Sequence, residues 1–124
     1  MCLRTRNNEP LVAKEDIVCF KLLKNSKFLF FFNRYYTPFQ EVRVKLNQKL
    51  NAHGEEEIDI ISPYYRDIGG GFIHAFRGLL VAKREKEDRW IIVKAIIPKG
   101  IRYYEGINGD ICAKSMYITS EKFK

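Results

Sequence analysis

At 124 residues and 14.6 kDa the chain has room for one domain with one core, and 46% hydrophobic and 14% aromatic residues exclude a disordered chain. Lys and Arg outnumber Asp and Glu by 22 to 15, a net charge of +7 that favours an anionic partner such as nucleic acid, a nucleotide or an acidic protein surface. Cys2, Cys19 and Cys112, an odd number at wide spacing, support neither a disulfide framework nor a CxxC metal site.

In chain order, residues 1–14 are polar, contain Pro10 and read as an extended N-terminal arm ahead of a single domain over 15–124. No apolar signal segment precedes Cys2. The longest apolar run, 28–32, is far short of the roughly 20 residues that span a bilayer, so a cytoplasmic chain without a membrane segment is expected. Residues 17–23 (IVCFKLL) read as a strand whose apolar run Lys21 interrupts. Asn25-Ser26 reads as a turn and 28–36 (FLFFFNRYY) as the returning strand of a hairpin, its run 28–32 being either core or a subunit interface.

Residues 42–46 (VRVKL) alternate apolar with basic side chains, as in a half-buried strand with a positive outer face. A turn at 51–54, a second alternating segment at 57–61 and a loop at 64–67 lead to three glycines, Gly69, Gly70 and Gly71. From there to Tyr104 the order of elements predicts a βαββ unit: a strand over 72–76, an amphipathic helix over 77–86, a central strand over Trp90–Ile97, a Pro98-Lys99-Gly100 turn and a returning strand over 101–104. A turn at 108–110 and a last strand over 115–119 complete a single α+β domain, a mostly antiparallel twisted sheet with one or two short helices.

The glycines match neither the P-loop nor the dinucleotide pattern, and a strand rather than a helix follows them, so a flexible loop or bulge is expected there. Strand periodicity puts His74 on one face with Phe72 and Phe76. It is either an ordinary core histidine or the floor of a pocket. Arg34, Arg66, Arg77 and Arg102 stand beside aromatics, most clearly in Asn33-Arg34-Tyr35-Tyr36, Tyr64-Tyr65-Arg66 and Arg102-Tyr103-Tyr104. Guanidinium and ring together can hold phosphate and base, though ordinary solvated sheets carry the same composition. Glu55, Glu56 and Glu57 form an acidic run suited to solvent. No spacing of nucleophile and base points to catalysis, and two histidines with scattered cysteines argue against zinc.

The segments IVCFKLL, GFIHAF and KAIIPKGIRYYEGINGDICAKSMYI resemble a group of short proteins of phages, prophages and gut bacteria. The resemblance covers most of the chain after residue 15, and the Ile-Pro-Lys-Gly-x-x-Tyr-Tyr hairpin is its most specific part. A more distant likeness is to the ADP-ribosyltransferase fold, with Lys21, the FIHAF strand and helix, and the IIVKAIIPKG strand in comparable places. The last strand, Ser115-Met116-Tyr117-Ile118, lacks that family's Glu, and His74 stands where Ser-x-Ser begins. The likeness therefore implies a nucleotide or ADP-ribose pocket without transfer activity.

The resulting expectation is a phage-type binding protein that holds an anionic nucleotide-like ligand, such as a host immune signal, without turnover and without a cofactor or metal. Lys21, Arg34, Tyr36, His74, Phe76, Arg77, Arg102 and Tyr104 are its expected ligand-binding residues. The alternatives are an ADP-ribosyltransferase-like or nucleotide-cleaving enzyme using His74 with Glu105 or Asp110, and a basic RNA- or protein-interaction module. A homo-oligomer stays open. Expression from a phage genome would place the protein in the host cytoplasm.

Overall fold

A computed structural model describes residues 3–7, 9–28, 32–38 and 41–124. Ten strands join in one sheet. Its path runs β2 (Leu11–Val12), β11 (Arg102–Glu105), β12 (Asp110–Ala113), β9 (Ile73–Phe76), β3 (Ile17–Phe28), β10 (Trp90–Ile97), β13 (Ser115–Phe123) and β6 (Gln48–Asn51). Off this path, β4 (Phe32–Tyr36) pairs with β3 and with β5 (Arg43–Val44). A second sheet contains β1 (Leu3–Thr5), β8 (Tyr65–Ile68) and β7 (Ile58–Ser62). Every pairing is antiparallel, and the one helix among the described residues is α1 (Leu79–Glu85), so the expected mostly antiparallel sheet with a short helix is present.

Burial follows the two-residue strand period. On one face Cys19 and Leu23 of β3, Ile73 and Ala75 of β9, Val93, Ala95 and Ile97 of β10, and Met116 and Ile118 of β13 form the main core. The other face has two covers. Helix α1 sets Ala82 against Leu22, Phe76 and Ile92, while the small sheet sets Leu3 and Ile68 against Phe72, Tyr104 and Cys112. The helix has no side-chain cap at Gly78, but Lys83 and Arg84 in its last turn complement the helix dipole. On the core face of β10, Val93, Ala95 and Ile97 are buried and Ile91 is half-buried. On the other face Ile92 is buried beneath the helix side, whereas Lys94 and Ile96 are only half-buried.

Several predicted boundaries move. Asn25 and Ser26 do not turn; β3 continues through them to Phe28, with Asn25 opposite Tyr35 and Ser26 opposite Arg34, because β4 supplies the backbone partners that a turn would have made internally. The hairpin itself is present. The predicted aromatic run 28–32 lies largely outside the described residues, as do Met1 and Cys2. Residues 65–68 are the middle strand of the small sheet rather than a loop, held between β1 and β7.

The predicted order of strand, helix, strand and strand is present along the chain, but the strands are not neighbours and no compact βαββ unit forms. β3 separates β9 from β10, and β12 lies between β9 and β11. Pro98-Lys99-Gly100 turns the chain as predicted, the Ile101 amide donating to Pro98 O at 3.2 Å, but closes no hairpin: Asp16 Oδ1 accepts from the Lys99 amide at 2.9 Å and Ala13 O from the Gly100 amide at 2.8 Å. These bonds lead β11 to β2 and β12. The turn before Asp110 does close a hairpin, and the strand that follows it, β12, was not anticipated. The polar arm contributes β1 and β2, with Leu3 and Thr5 wholly buried.

Candidate functional site

The long strand β3 is served by three neighbours. Phe20 pairs with Lys94 on one edge and Phe76 on the other; Lys24 pairs with Trp90 on the first edge and Tyr36 on the second. β9 and β4 therefore share the edge opposite β10, and β9 departs at Phe20 before β4 arrives at Lys24. The sheet splits beside Lys21, Leu22 and Leu23. Backbone groups left over at such a split need partners. Lys21 supplies one, its Nζ donating to the main-chain carbonyl of His74 at 2.7 Å.

Lys21 is 6% exposed, and among the described residues no carboxylate lies within ion-pair distance of it. Burial pulls its ammonium down to about 8, opposed only in part by the Cys19 thiol. Two of its three N–H donors have no acceptor among the described residues.

His74 lies on β9 at the seam between the two covers, with Phe72 in the small-sheet cluster and Phe76 in the helix cluster. Nε2 is 2.8 Å from Gly69 O, a geometry that calls for the tautomer protonated at Nε2. Nδ1 is then an acceptor, buried and without a hydrogen-bond partner among the described residues. Burial pulls the imidazole down to about 4, the Gly69 carbonyl opposing and Lys21 assisting, so the ring is neutral at neutral pH. His74 is thus only half satisfied as a core histidine.

Lys21 and His74 line one partly open cavity of ≈ 60 Å³. Leu22, Phe72 and Phe76 form apolar wall on the sheet, and Val42, Leu50 and Pro38 close it from the segments around β5 and β6. That volume holds several waters or one small group; sites that engulf a drug-sized ligand run to roughly 300–1,000 Å³. The cavity suits an anionic head or the edge of a ring.

Of the expected ligand residues, the cavity brings together Lys21, His74 and Phe76. The predicted common face of Phe72, His74 and Phe76 is present. Tyr36 precedes the lining residue Thr37 without lining the cavity, and Arg34 lies two positions earlier on β4. Arg77 donates to Val18 O at 2.5 Å, and Arg102, on β11, holds Nη2 3.7 Å from Oε1 of Glu56 in the acidic run. Tyr104 is 2% exposed and packs edge-on against Phe72, with ring centroids 5.6 Å apart. The three arginine-tyrosine groups stand on β4, β8 and β11, which are not neighbours, so they build no common platform.

The glycines pack closely against the acidic run. Gly71 has φ +82°, and a Cβ there would meet Glu55 O and Glu56 Cα at 2.6 Å. The Gly69 amide donates to Glu57 O at 2.8 Å, and the Glu57 amide to Gly70 O at 2.9 Å. The segment is pinned to the acidic run rather than loose, while Gly71 O accepts from Lys114 at 2.9 Å and Glu56 Oε1 stands 3.3 Å from the same ammonium.

Cys19 and Cys112 are free and buried, and burial pushes both thiols up to about 12, which leaves them un-ionised. Asp110 faces Phe76 across β12 and β9, its carboxyl raised by burial, while Glu105 is exposed at the end of β11. Among the described residues no cluster of His, Cys, Asp and Glu is placed to hold a metal, and no helix is long and apolar enough to cross a membrane.

Sequence reasoning missed the lining residues Thr37, Pro38, Val42, Leu50, Asn51, Ala52 and His53. They carry no local pattern, since they reach the cavity only through the pairing of β4 with β3 and of β6 with β13. No family model, curated protein or solved structure matches the chain.

Proposed function

We propose that this chain is a small binding protein that captures an anionic, nucleotide-type ligand at the Lys21–His74 cavity and releases it unchanged. The observation that carries this reading is Lys21, a buried ammonium beside a cavity with no carboxylate partner among the described residues. A buried charge lacking a counter-ion is costly, and an anionic or carbonyl oxygen entering the cavity would relieve that cost. Lys21 then holds the oxygen, His74 Nδ1 accepts an N–H or O–H of the ligand, and Phe72 and Phe76 pack against its apolar surface.

The ≈ 60 Å³ volume admits one phosphate or one base edge, with the rest of the ligand outside. The un-ionised thiols, the absence of a carboxylate at Lys21 and the missing Glu in 115–118 all favour holding over turnover. Such a protein suits a sponge for a soluble signalling nucleotide, in keeping with the resemblance to short phage proteins.

Isothermal calorimetry with cyclic nucleotides, ADP-ribose and orthophosphate tests the reading. Micromolar binding by one of them is expected, weakened about 10- to 100-fold in Lys21→Met, the range of a hydrogen bond to a charged group. Ligand recovered after denaturing the complex should be intact. No binding by any of the three overturns the proposal, and altered ligand would favour an enzyme. Because one buried cation makes the contact, affinity should respond weakly to salt; a steep decline would instead indicate RNA bound through several phosphates.

A further inference from the structure

We infer that Lys21 is a carbonyl-capturing amine, forming a reversible imine with a small aldehyde or ketone that enters the cavity. The inference rests on the reading of the Lys21–His74 cavity as a ligand site and names the reactive group such a ligand would carry. Three geometric facts support it. The Lys21 amine is anchored by one hydrogen bond of 2.7 Å to the His74 carbonyl, which fixes the nitrogen at the split in the sheet. No carboxylate pairs with it among the described residues, so nothing holds it permanently as an ammonium. The same cavity is lined by His74, whose Nδ1 has no hydrogen-bond partner among the described residues and so has a lone pair available for a proton.

The chemistry balances without a further reactant. The Lys21 nitrogen lone pair bonds to the carbonyl carbon as the carbonyl π pair moves onto oxygen. A proton passes from nitrogen to that oxygen, with His74 Nδ1 accepting it and handing it on. The carbinolamine nitrogen then gives up its remaining proton, which reaches the hydroxyl oxygen by the same relay, and the nitrogen lone pair forms the C=N bond as the C–O bond breaks and water leaves, so amine and carbonyl give imine and one water with no change of oxidation state. Burial supports the same assignment. A lysine at about 8 is roughly one-tenth neutral at pH 7, against a few ten-thousandths for an exposed one, and His74 at about 4 stays a base. Leu22, Phe72 and Phe76 supply the apolar wall against which the imine carbon and its substituent would pack.

The test incubates the intact chain with substoichiometric propanal and cyanoborohydride, whose hydride converts imine to stable propylamine, and maps the label by peptide mass spectrometry. Label concentrated at Lys21, at least tenfold above any of the twelve other lysines, is expected. Lys21→Arg should remove this label while keeping the cationic contact to orthophosphate or ADP-ribose, and His74→Gln should slow labelling at least tenfold. Label spread over exposed lysines, with Lys21 no faster than they are in a protein whose circular dichroism is native, overturns the inference. If calorimetric binding persists in that case, only the imine chemistry falls; if it is absent too, the cavity loses its role as a ligand site altogether.

Discussion

Protonating His74 in the folded chain places a charge between two apolar clusters, with Lys21 already close by. Its folded value of about 4 lies below the roughly 6.5 of an unfolded histidine, so between these values the unfolded chain binds the proton more readily. Stability from this group is complete above about pH 6.5 and falls as pH drops toward 4, by up to about 3 kcal/mol. Urea midpoints at pH 7 and 4.5 should show the fall, and His74→Gln should flatten it. Lys21 acts at the other end of the scale. With about 8 folded and 10.5 unfolded, it penalises the fold below pH 8, and stability should rise between 8 and 10.5 by up to about 3 kcal/mol. Comparing the parent with Lys21→Met over that range isolates the effect, since other titrations are common to both. At this scale the sequence marks Lys21 as the charge inside an apolar strand and His74 as the polar member of an aromatic face. That the two meet, through a main-chain carbonyl, depends on pairing that no local pattern records.

Among the elements, strands with strong periodicity were legible and their connections were not. Trp90–Ile97 is a strand over the expected span, and α1 lies within the predicted 77–86. Asn25-Ser26 was misread because its turn chemistry is overridden by the ladder to β4, and β8 because a tyrosine-rich polar segment becomes a strand once two neighbours hold it. The glycine segment shows the same dependence. Its composition suggests looseness, yet Gly71 is required by both a positive φ and close backbone approach. Gly71→Ala should cost about 3 kcal/mol, combining left-handed strain with a clash against the backbone of Glu55 and Glu56. Thermal unfolding of the variant checks this; a change below about 0.5 kcal/mol would mean that the acidic run can shift aside.

For the whole molecule, the main determinant is how far along the chain the partners lie. β1 pairs with β8, and β3 with β10, so although β3–β4, β7–β8 and β11–β12 close locally, neither sheet is complete until distant segments meet. Refolding should accordingly fall in the millisecond-to-second range of β-rich domains, measurable by stopped-flow fluorescence of Trp90. The N-terminal segment belongs to this network. Leu3 is wholly buried against Ile68, Phe72 and Tyr104, so Leu3→Ala should cost about 3 kcal/mol and lower Tm by about 10 °C.

By itself the sequence determined a single mostly antiparallel domain with a short helix, its basic charge, and the face shared by Phe72, His74 and Phe76, because side-chain periodicity and composition act locally. Only the tertiary structure decided the strand order, the split in the sheet beside Lys21, the cavity there and the separation of Arg77, Arg102 and Tyr104 from it. Strand pairing is a long-range contact, and which distant backbone groups satisfy one another determines where the sheet closes and where it opens.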